Sequence, residues 1–298
     1  MPSAAESISP TMNGTSVAET SRWTERATFA VGEMLRRYHR HQVVGLDHLR
    51  AALDSRKPVL LVGNHCMNAI DPLMLRNAIH AALGRSISFI GHELLFFRFP
   101  GVRSFMRAAG VIPSRDPALA ERTLRDTGVL ALYPGAGSEA ALRLYRREPY
   151  RLKWYGRQGF VELALATGAT ILFVAGIGLD ELFFQTNRRI PSSLFRWVER
   201  TYLTEYRGVR LQLGPLGLHL LPADLPFPVR VTHVVSPPIR YDHGVDPHDR
   251  TGVEKTQIHV WARCQRFLDE AIASRDRHSD ALDSACRTGM RLLEEIDL

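Results

Sequence analysis

Short apolar runs alternate with longer stretches of helical composition along most of this chain. That alternation limits the fold more than any single residue does. The runs are residues 42–45, Val59–Gly63, 87–91, 110–113, 129–133 and 170–175. Each has the length of a strand and is mostly apolar, and Val59–Gly63 is apolar throughout, as strands buried on both faces are. Between them the pattern predicts a short helix reaching Ser55, a helix over Pro72–Leu83, a helical stretch to Ala109 interrupted at Pro100-Gly101, a helix from Asp116 to Gly128, and one over Gly159–Thr167. Asp71-Pro72 and Asp116-Pro117 both read as an N-cap followed by proline at the first helical position. Strands alternating with helices of this length predict a single α/β domain, with a mostly parallel central sheet flanked by helices. Ligands of such sheets bind beyond the C-terminal ends of the strands.

Three segments depart from the rhythm. Residues 1–21 read as a disordered polar tail without the basic region and apolar core of a secretory signal, leaving 22–298 as the single domain. Residues 23–41 carry an apolar stripe through Trp23, Ala27, Ala30, Val31, Met34, Leu35 and Tyr38. The stretch is read either as an amphipathic helix docked on the core or as an interfacial membrane helix, and Gly32 weakens it in both cases. Residues 180–228 mix aromatics with arginines, as segments meeting lipid headgroups do; an ordinary helical insertion is the alternative. A strand over 229–235 and helices over 251–274 and 279–296 complete the chain.

Charge narrows the partners. The net charge is +7, the pI is 9.7 and Arg far outnumbers Lys, which favours an anionic partner. The 3 cysteines include no CxxC pair, so neither a disulfide framework nor a metal site is expected, and a reducing cytoplasm fits. No apolar run approaches the roughly 18 residues needed to span a bilayer. No nucleic-acid-binding module is recognisable, and no nucleic-acid partner is expected.

Familiar motifs fail one by one. Gly135-Ala136-Gly137-Ser138-Glu139 lacks the second glycine of a nucleophile elbow, Gly176-Ile177-Gly178 lacks the third glycine of a dinucleotide fingerprint, and His92-Glu93 has no second histidine. Four segments in order are more informative: NHCMNAIDP at 64–72, GVIPSRD at 110–116, YPGAGSEA at 133–140, and the helix at 156–169 leading into ILFVAGIG at 171–178. With VVGLDHL at 43–49, they resemble the glycerolipid acyltransferase superfamily, the lysophosphatidic acid acyltransferase-like proteins, over about residues 42–240. The usual first motif of that family is His-x4-Asp; here it is His-x5-Asp. The third motif usually reads Pro-Glu-Gly-Thr-Arg-Ser, whereas here the carboxylate moves to Glu139 and the arginine has no counterpart. Both departures resemble the branch of monoacylglycerol and diacylglycerol acyltransferases and their bacterial relatives.

The resemblance implies a glycerol-3-phosphate acyltransferase-like fold and transfer of a fatty acyl group from an acyl thioester to the hydroxyl of a glycerolipid or other lipid alcohol. The donor is acyl-CoA or acyl carrier protein as co-substrate, with no cofactor and no metal. His65 is the candidate general base and Asp71 its partner, since an alcohol attacking a thioester needs a positioned proton acceptor. Arg115, Gly135, Gly137, Glu139 and Arg157 are the candidate substrate-binding residues. Arg115 suits phosphate contact, Glu139 acceptor hydroxyls and Arg157 coenzyme A phosphate, while backbone N–H groups near 63–68 or Gly135–Gly137 suit an oxyanion. Cys66, beside the base, is read as packing and not as a nucleophile. The expected location is cytoplasmic, peripheral on an anionic inner membrane face. Two alternatives stay open: a lysophospholipid or lysophosphatidic acid acceptor, and a non-catalytic lipid-binding or transfer protein. Chain length, acceptor, donor carrier and oligomeric state are not legible in the sequence.

Overall fold

The computed structural model of the protein describes residues 14–66, 70–91, 100–135, 139, 149–154, 156–189, 210–215, 217–219, 225–277, 284 and 288. Gly137, residues 190–209 and, apart from 284 and 288, the helix expected over 279–296 lie outside the described residues.

The apolar runs form strands β1 (Gln42–Val44), β2 (Val59–Gly63), β3 (Ser88–Gly91), β4 (Val111–Pro113), β5 (Val129–Leu132), β6 (Thr170–Ile177) and β10 (Thr232–Val235), joined in the order β1-β10-β6-β2-β5-β3-β4. Strands β6, β2, β5, β3 and β4 are mutually parallel. Strand β10 pairs antiparallel with β6, and β1 runs parallel with β10, so the sheet is mostly but not wholly parallel. The reversal follows from the excursion between β6 and β10. It contains a separate antiparallel sheet of β7 (Phe184–Arg189), β8 (Arg210–Gly214) and β9 (Gly217–His219). The excursion closes at its base, where Phe227 N–H donates to Leu182 O at 2.9 Å. The chain therefore re-enters the main sheet from the end at which it left. The described part of 180–228 holds strands and loops, and the stretch 190–209 lies outside the described residues.

Helices α1 (Gly14–Tyr38), α2 (Leu46–Asp54), α3 (Asp71–Leu83), α4 (Pro100–Ala108), α5 (Pro117–Thr127), α6 (Gly159–Thr167) and α7 (Arg250–Arg277) cover the sheet. Every residue of β2 is buried, and its side chains alternate between two apolar layers. Val59 and Leu61 join Leu49, Leu75 and Ile79 of α2 and α3; Leu60 and Val62 join Leu124, Phe160, Val161 and Val260 of α5, α6 and α7. This explains the unbroken hydrophobicity of the run.

Two expectations need correction. Asp116 caps α5 as predicted, its Oδ1 accepting from Leu119 N–H at 2.8 Å, but Asp71 caps nothing. The N-cap of α3 is Ile70 in a right-handed conformation without a side-chain cap, and Asp71 is the first helical residue. The second correction concerns α1, which starts at Gly14 and so takes in 14–21 of the expected tail. Of its apolar stripe, Trp23 and Met34 are 67% and 61% exposed, and Ala27 and Ala30 are also exposed. The buried face runs through Thr28, Gly32, the stripe's own Leu35 and the following His39, with Val31 of the stripe partly buried beside it. Gly32 belongs to that face because a Cβ there would lie 2.7 Å from the Asn77 amide of α3. Asn77 in turn donates to Phe29 O, and Arg76 to Thr28 Oγ1. Polar hydrogen bonds and a glycine, more than an apolar stripe, dock α1 on α3.

Candidate active site

The central strand β2 ends at Gly63, and the next three residues carry the site. Asn64 is fully buried. Its Nδ2 donates to Gly176 O at 2.8 Å and its Oδ1 accepts from Gly176 N–H at 2.7 Å. The side-chain amide thus continues the β2–β6 ladder by one rung after the backbone has turned away. A Cβ on Gly176 would lie 2.3 Å from Leu179 Cδ1, so a side chain there would displace that leucine.

His65 leaves that anchor with 16% of its side chain exposed. Its Nδ1 lies 3.1 Å from each oxygen of Asp71, so the one-residue-longer loop still closes on the carboxylate. A carboxylate accepts only, so Nδ1 carries the proton and Nε2 is the nitrogen that can take one. The Tyr133 ring, at the end of β5, stacks on the imidazole at 4.5 Å between centroids and 24° between planes. The absent side chain of Gly63 makes room, because a Cβ there would lie 3.1 Å from Tyr133 Cε1. The imidazole is therefore held in its plane by a ring and in its rotation by a carboxylate.

Asp71 is fully buried. Burial opposes its ionisation, but protonated His65, hydrogen bonds from His65 and Cys66 and the field of His233 together hold its carboxyl below the ordinary value. Cys66 Sγ donates to Asp71 Oδ1 at 2.9 Å. Burial, then the Asp71 charge, push that thiol well above the usual range, which suits a donor and not a thiolate nucleophile. Tyr133 is pushed up by burial and then by the neighbouring Asp71 carboxylate.

Arg115, Gly135, Glu139 and Arg157 follow the C-terminal ends of the parallel strands. Arg115 is exposed in the loop after β4. Gly135 is buried in the turn after β5. Arg157, half-buried, precedes α6, which leads back to the start of β6, and its N–H donates to Trp154 O at 2.8 Å. Glu139 is fully buried; its Oε2 accepts from Trp154 Nε1 at 3.0 Å and lies over Gly135, where a Cβ would come within 1.9 Å. That carboxylate is tied into the interior next to Trp154. Among the described residues no group of three His, Cys, Asp or Glu side chains is placed to hold a metal ion.

Sequence reading missed Asn64, Tyr133 and His233. Asn64 was visible as the residue before His65, but its partner lies 112 positions away. His233 is buried on β10 opposite Gly176.

The family model described as Acyltransferase matches residues 40–175, a span that holds β1 to β5, both members of the His65–Asp71 pair and most of β6. The chain is 23% identical over 201 residues to the DGAT1/2-independent enzyme synthesizing storage lipids of Gallus gallus, covering 67% of this chain and 54% of that one. It is 29% identical over 186 residues to the Diacylglycerol O-acyltransferase 2-like protein 6 of Mus musculus, covering 57% and 52%. It is 31% identical over 164 residues to an uncharacterized protein of Mycobacterium leprae, covering 53% and 42%. The chain thus spans about half the length of the curated relatives it matches. Its α/β sheet, its ordered motifs and the match over residues 40–175 make the chain similar to the acyltransferases of the glycerolipid superfamily.

Proposed function

We propose that the protein transfers a fatty acyl group from an acyl thioester, acyl-CoA or acyl carrier protein, to the hydroxyl of a glycerolipid or other lipid alcohol. The observation that carries this reading is the 3.1 Å contact of His65 Nδ1 with Asp71. Nε2 takes the proton of the acceptor hydroxyl as its oxygen attacks the thioester carbonyl. Asp71 stabilises the imidazolium that forms. The tetrahedral oxyanion is held by backbone N–H groups, for which residues 135–137 and the segment after Gly63 are the candidates. Collapse breaks the C–S bond, and the leaving thiolate recovers the proton from Nε2. A positioned base contributes roughly 10²–10⁴-fold. The names of the chicken and mouse relatives favour a neutral-lipid acceptor.

Arg115 and Arg157 keep a lysophospholipid or lysophosphatidic acid acceptor as the second reading. A non-catalytic lipid-binding protein is the third; it would need neither His65 nor Asp71. Thiol release from acyl-CoA across monoacylglycerol, diacylglycerol, lysophospholipid and lysophosphatidic acid separates them. Release with the neutral acceptors, lost in His65→Ala, is expected. Lipid binding without release from any acceptor would overturn the enzyme reading.

The reading includes a peripheral position on an anionic membrane, on the cytoplasmic inner face. No described helix is long and apolar enough to cross a bilayer. Support comes from α1, whose exposed Trp23, Ala27, Ala30 and Met34 are accompanied by exposed Arg22, Arg26 and Arg37. Co-sedimentation with anionic vesicles at low salt tests it, with Trp23→Ala/Met34→Ala expected to weaken binding. Equal recovery of both proteins in the supernatant would count against it.

A further inference from the structure

The segment from Tyr150 to Trp154 is buried without belonging to a sheet. Tyr150, Leu152 and Trp154 are 6%, 4% and 1% exposed, with exposed Arg151 and half-buried Lys153 between them. That alternation marks an extended chain with one side in the core. The segment pairs with none of the described strands, yet its buried backbone groups need partners. Side chains of α7 supply them.

Gln265, 5% exposed, stands where a neighbouring strand would. Its Oε1 accepts from Leu152 N–H at 2.8 Å, and its Nε2 donates to Tyr150 O at 3.1 Å. Nε2 also donates to Asp269 Oδ1 at 2.8 Å, one turn on in the same helix, which fixes which way round the amide sits. Trp261, one turn back, donates from Nε1 to Leu152 O at 3.0 Å. Arg275, further along α7, donates to Glu181 Oε1 at 2.8 Å and to the Tyr150 hydroxyl at 3.3 Å.

Tyr150 is bound at every polar group. Its N–H donates to Asp180 Oδ2 at 2.6 Å, and its hydroxyl accepts from Gly178 N–H at 2.8 Å and donates to Glu181. These bonds hold it at a φ of 59°, a left-handed conformation that a side-chain-bearing residue keeps only where its surroundings impose it.

The far end of the segment reaches the candidate site. Trp154 packs edge-on against Phe160 and Phe173 and donates to Glu139 Oε2 at 3.0 Å. Glu139 N–H donates to Gly135 O at 3.0 Å, and the Glu139 carboxylate lies over Gly135. Gly135 follows by two residues the Tyr133 ring that stacks on His65. The match to the Acyltransferase family model ends at residue 175 and takes in none of α7.

We propose that Gln265 and Trp261 of α7 are positioning residues. They clamp the backbone of residues 150–152, and through Trp154 and Glu139 they set the place of the Gly135 backbone. The effect on turnover rests on the proposed acyl transfer, with residues 135–137 among its oxyanion donors. The clamp itself does not rest on that reading.

Gln265→Met keeps the length of the side chain and removes both of its bonds to the segment. Hydrogen exchange in the full chain is followed at the Leu152 amide and the Trp154 indole, with the Leu61 amide of β2 as the measure of global opening. Relative to Leu61, both should exchange roughly tenfold faster or more in the variant, because buried backbone groups left without partners open locally. In thiol release, kcat should fall roughly tenfold while KM stays within about twofold of the parent, the pattern of an interaction made only in the transition state. Trp261→Phe removes only the bond to Leu152 O. It should show the same changes at smaller size, and it serves where Gln265→Met does not fold. Parent-like exchange at the Trp154 indole, or a parent-like kcat in a folded variant whose Leu152 amide has opened, would overturn the proposal. Absence of transfer by the parent protein would overturn the acyltransferase reading instead, and the exchange rates at Leu152 and Trp154 would then decide the clamp alone.

Discussion

His65 Nδ1 stands 3.1 Å from both carboxylate oxygens of Asp71, at the C-terminal end of the most deeply buried strand of the sheet. Asp71→Asn offers an amide in place of the acceptor pair and removes the charge that stabilises the imidazolium. Acyl transfer should fall roughly 10²–10⁴-fold with the fold retained. His65→Ala should abolish it. Turnover in either variant within a few-fold of the parent, measured by thiol release, would remove His65 from the reaction.

Asn64→Leu should destabilise the protein as well as slow it. The substitution strips partners from Gly176 N–H and Gly176 O in a fully buried setting, and each orphaned group costs about 1–3 kcal/mol. A loss of at least about 2 kcal/mol in urea unfolding is expected. Because the anchor fixes His65, kcat should drop more than KM rises. Parent-like stability would show that the side-chain rung carries no load.

Glu139 separates a structural role from a binding one. Glu139→Gln keeps an oxygen to accept from Trp154 Nε1, whereas Glu139→Ala leaves the buried indole N–H without that partner. The alanine variant should lose about 1–3 kcal/mol and the glutamine variant much less. Transfer by Glu139→Gln within tenfold of the parent is expected. A large rise in acceptor KM for the folded glutamine variant would instead point to contact with substrate.

The buried histidines make stability depend on pH. His233 is lowered to about 4 and His41 to about 2, from about 6.5 when free, so the unfolded chain binds more protons below pH 6.5. Their stabilisation is whole above about pH 6.5 and is lost as pH falls toward the folded values, at about 1.4 kcal/mol per pH unit for one group. Asp71, whose value is depressed, loses its contribution only at lower pH, below the ordinary carboxyl range. Urea midpoints should decline between pH 6 and 5 and decline less in His233→Phe. A flat profile from pH 7.5 to 5 would contradict the neutral pair.

The strands of the main sheet and the strand–helix order were legible because local composition and spacing encode them; whether Asp71 reaches His65 across the longer loop was not. What was misread depended on distant partners. Asp71 and Asp116 carry the same Asp-Pro signal, yet only Asp116 caps its helix; Asp71 is bound to His65 and Cys66 instead. Of the stripe on α1 only Val31, Leu35 and Tyr38 turn inward, and the hydrogen bonds of Asn77 and Arg76 of α3 bring Thr28 and Gly32 onto the docked face. Glu139 was read as a contact for acceptor hydroxyls, and nothing near it in sequence announced Trp154 as its donor. Tyr133 looked like the last residue of a strand, with no local sign that its ring would lie on His65.

The amide of Asn64 also bears on how this loop can vary. Because a side chain closes the ladder on Gly176, the sheet is complete before His65 begins. A residue added or removed between His65 and Asp71 then changes only the arc between two fixed posts, the end of β2 and the first turn of α3. The register of β2 against β5 and β6 does not feel it. Loop length here is free to drift while the distance across its mouth is conserved by the elements that bound it.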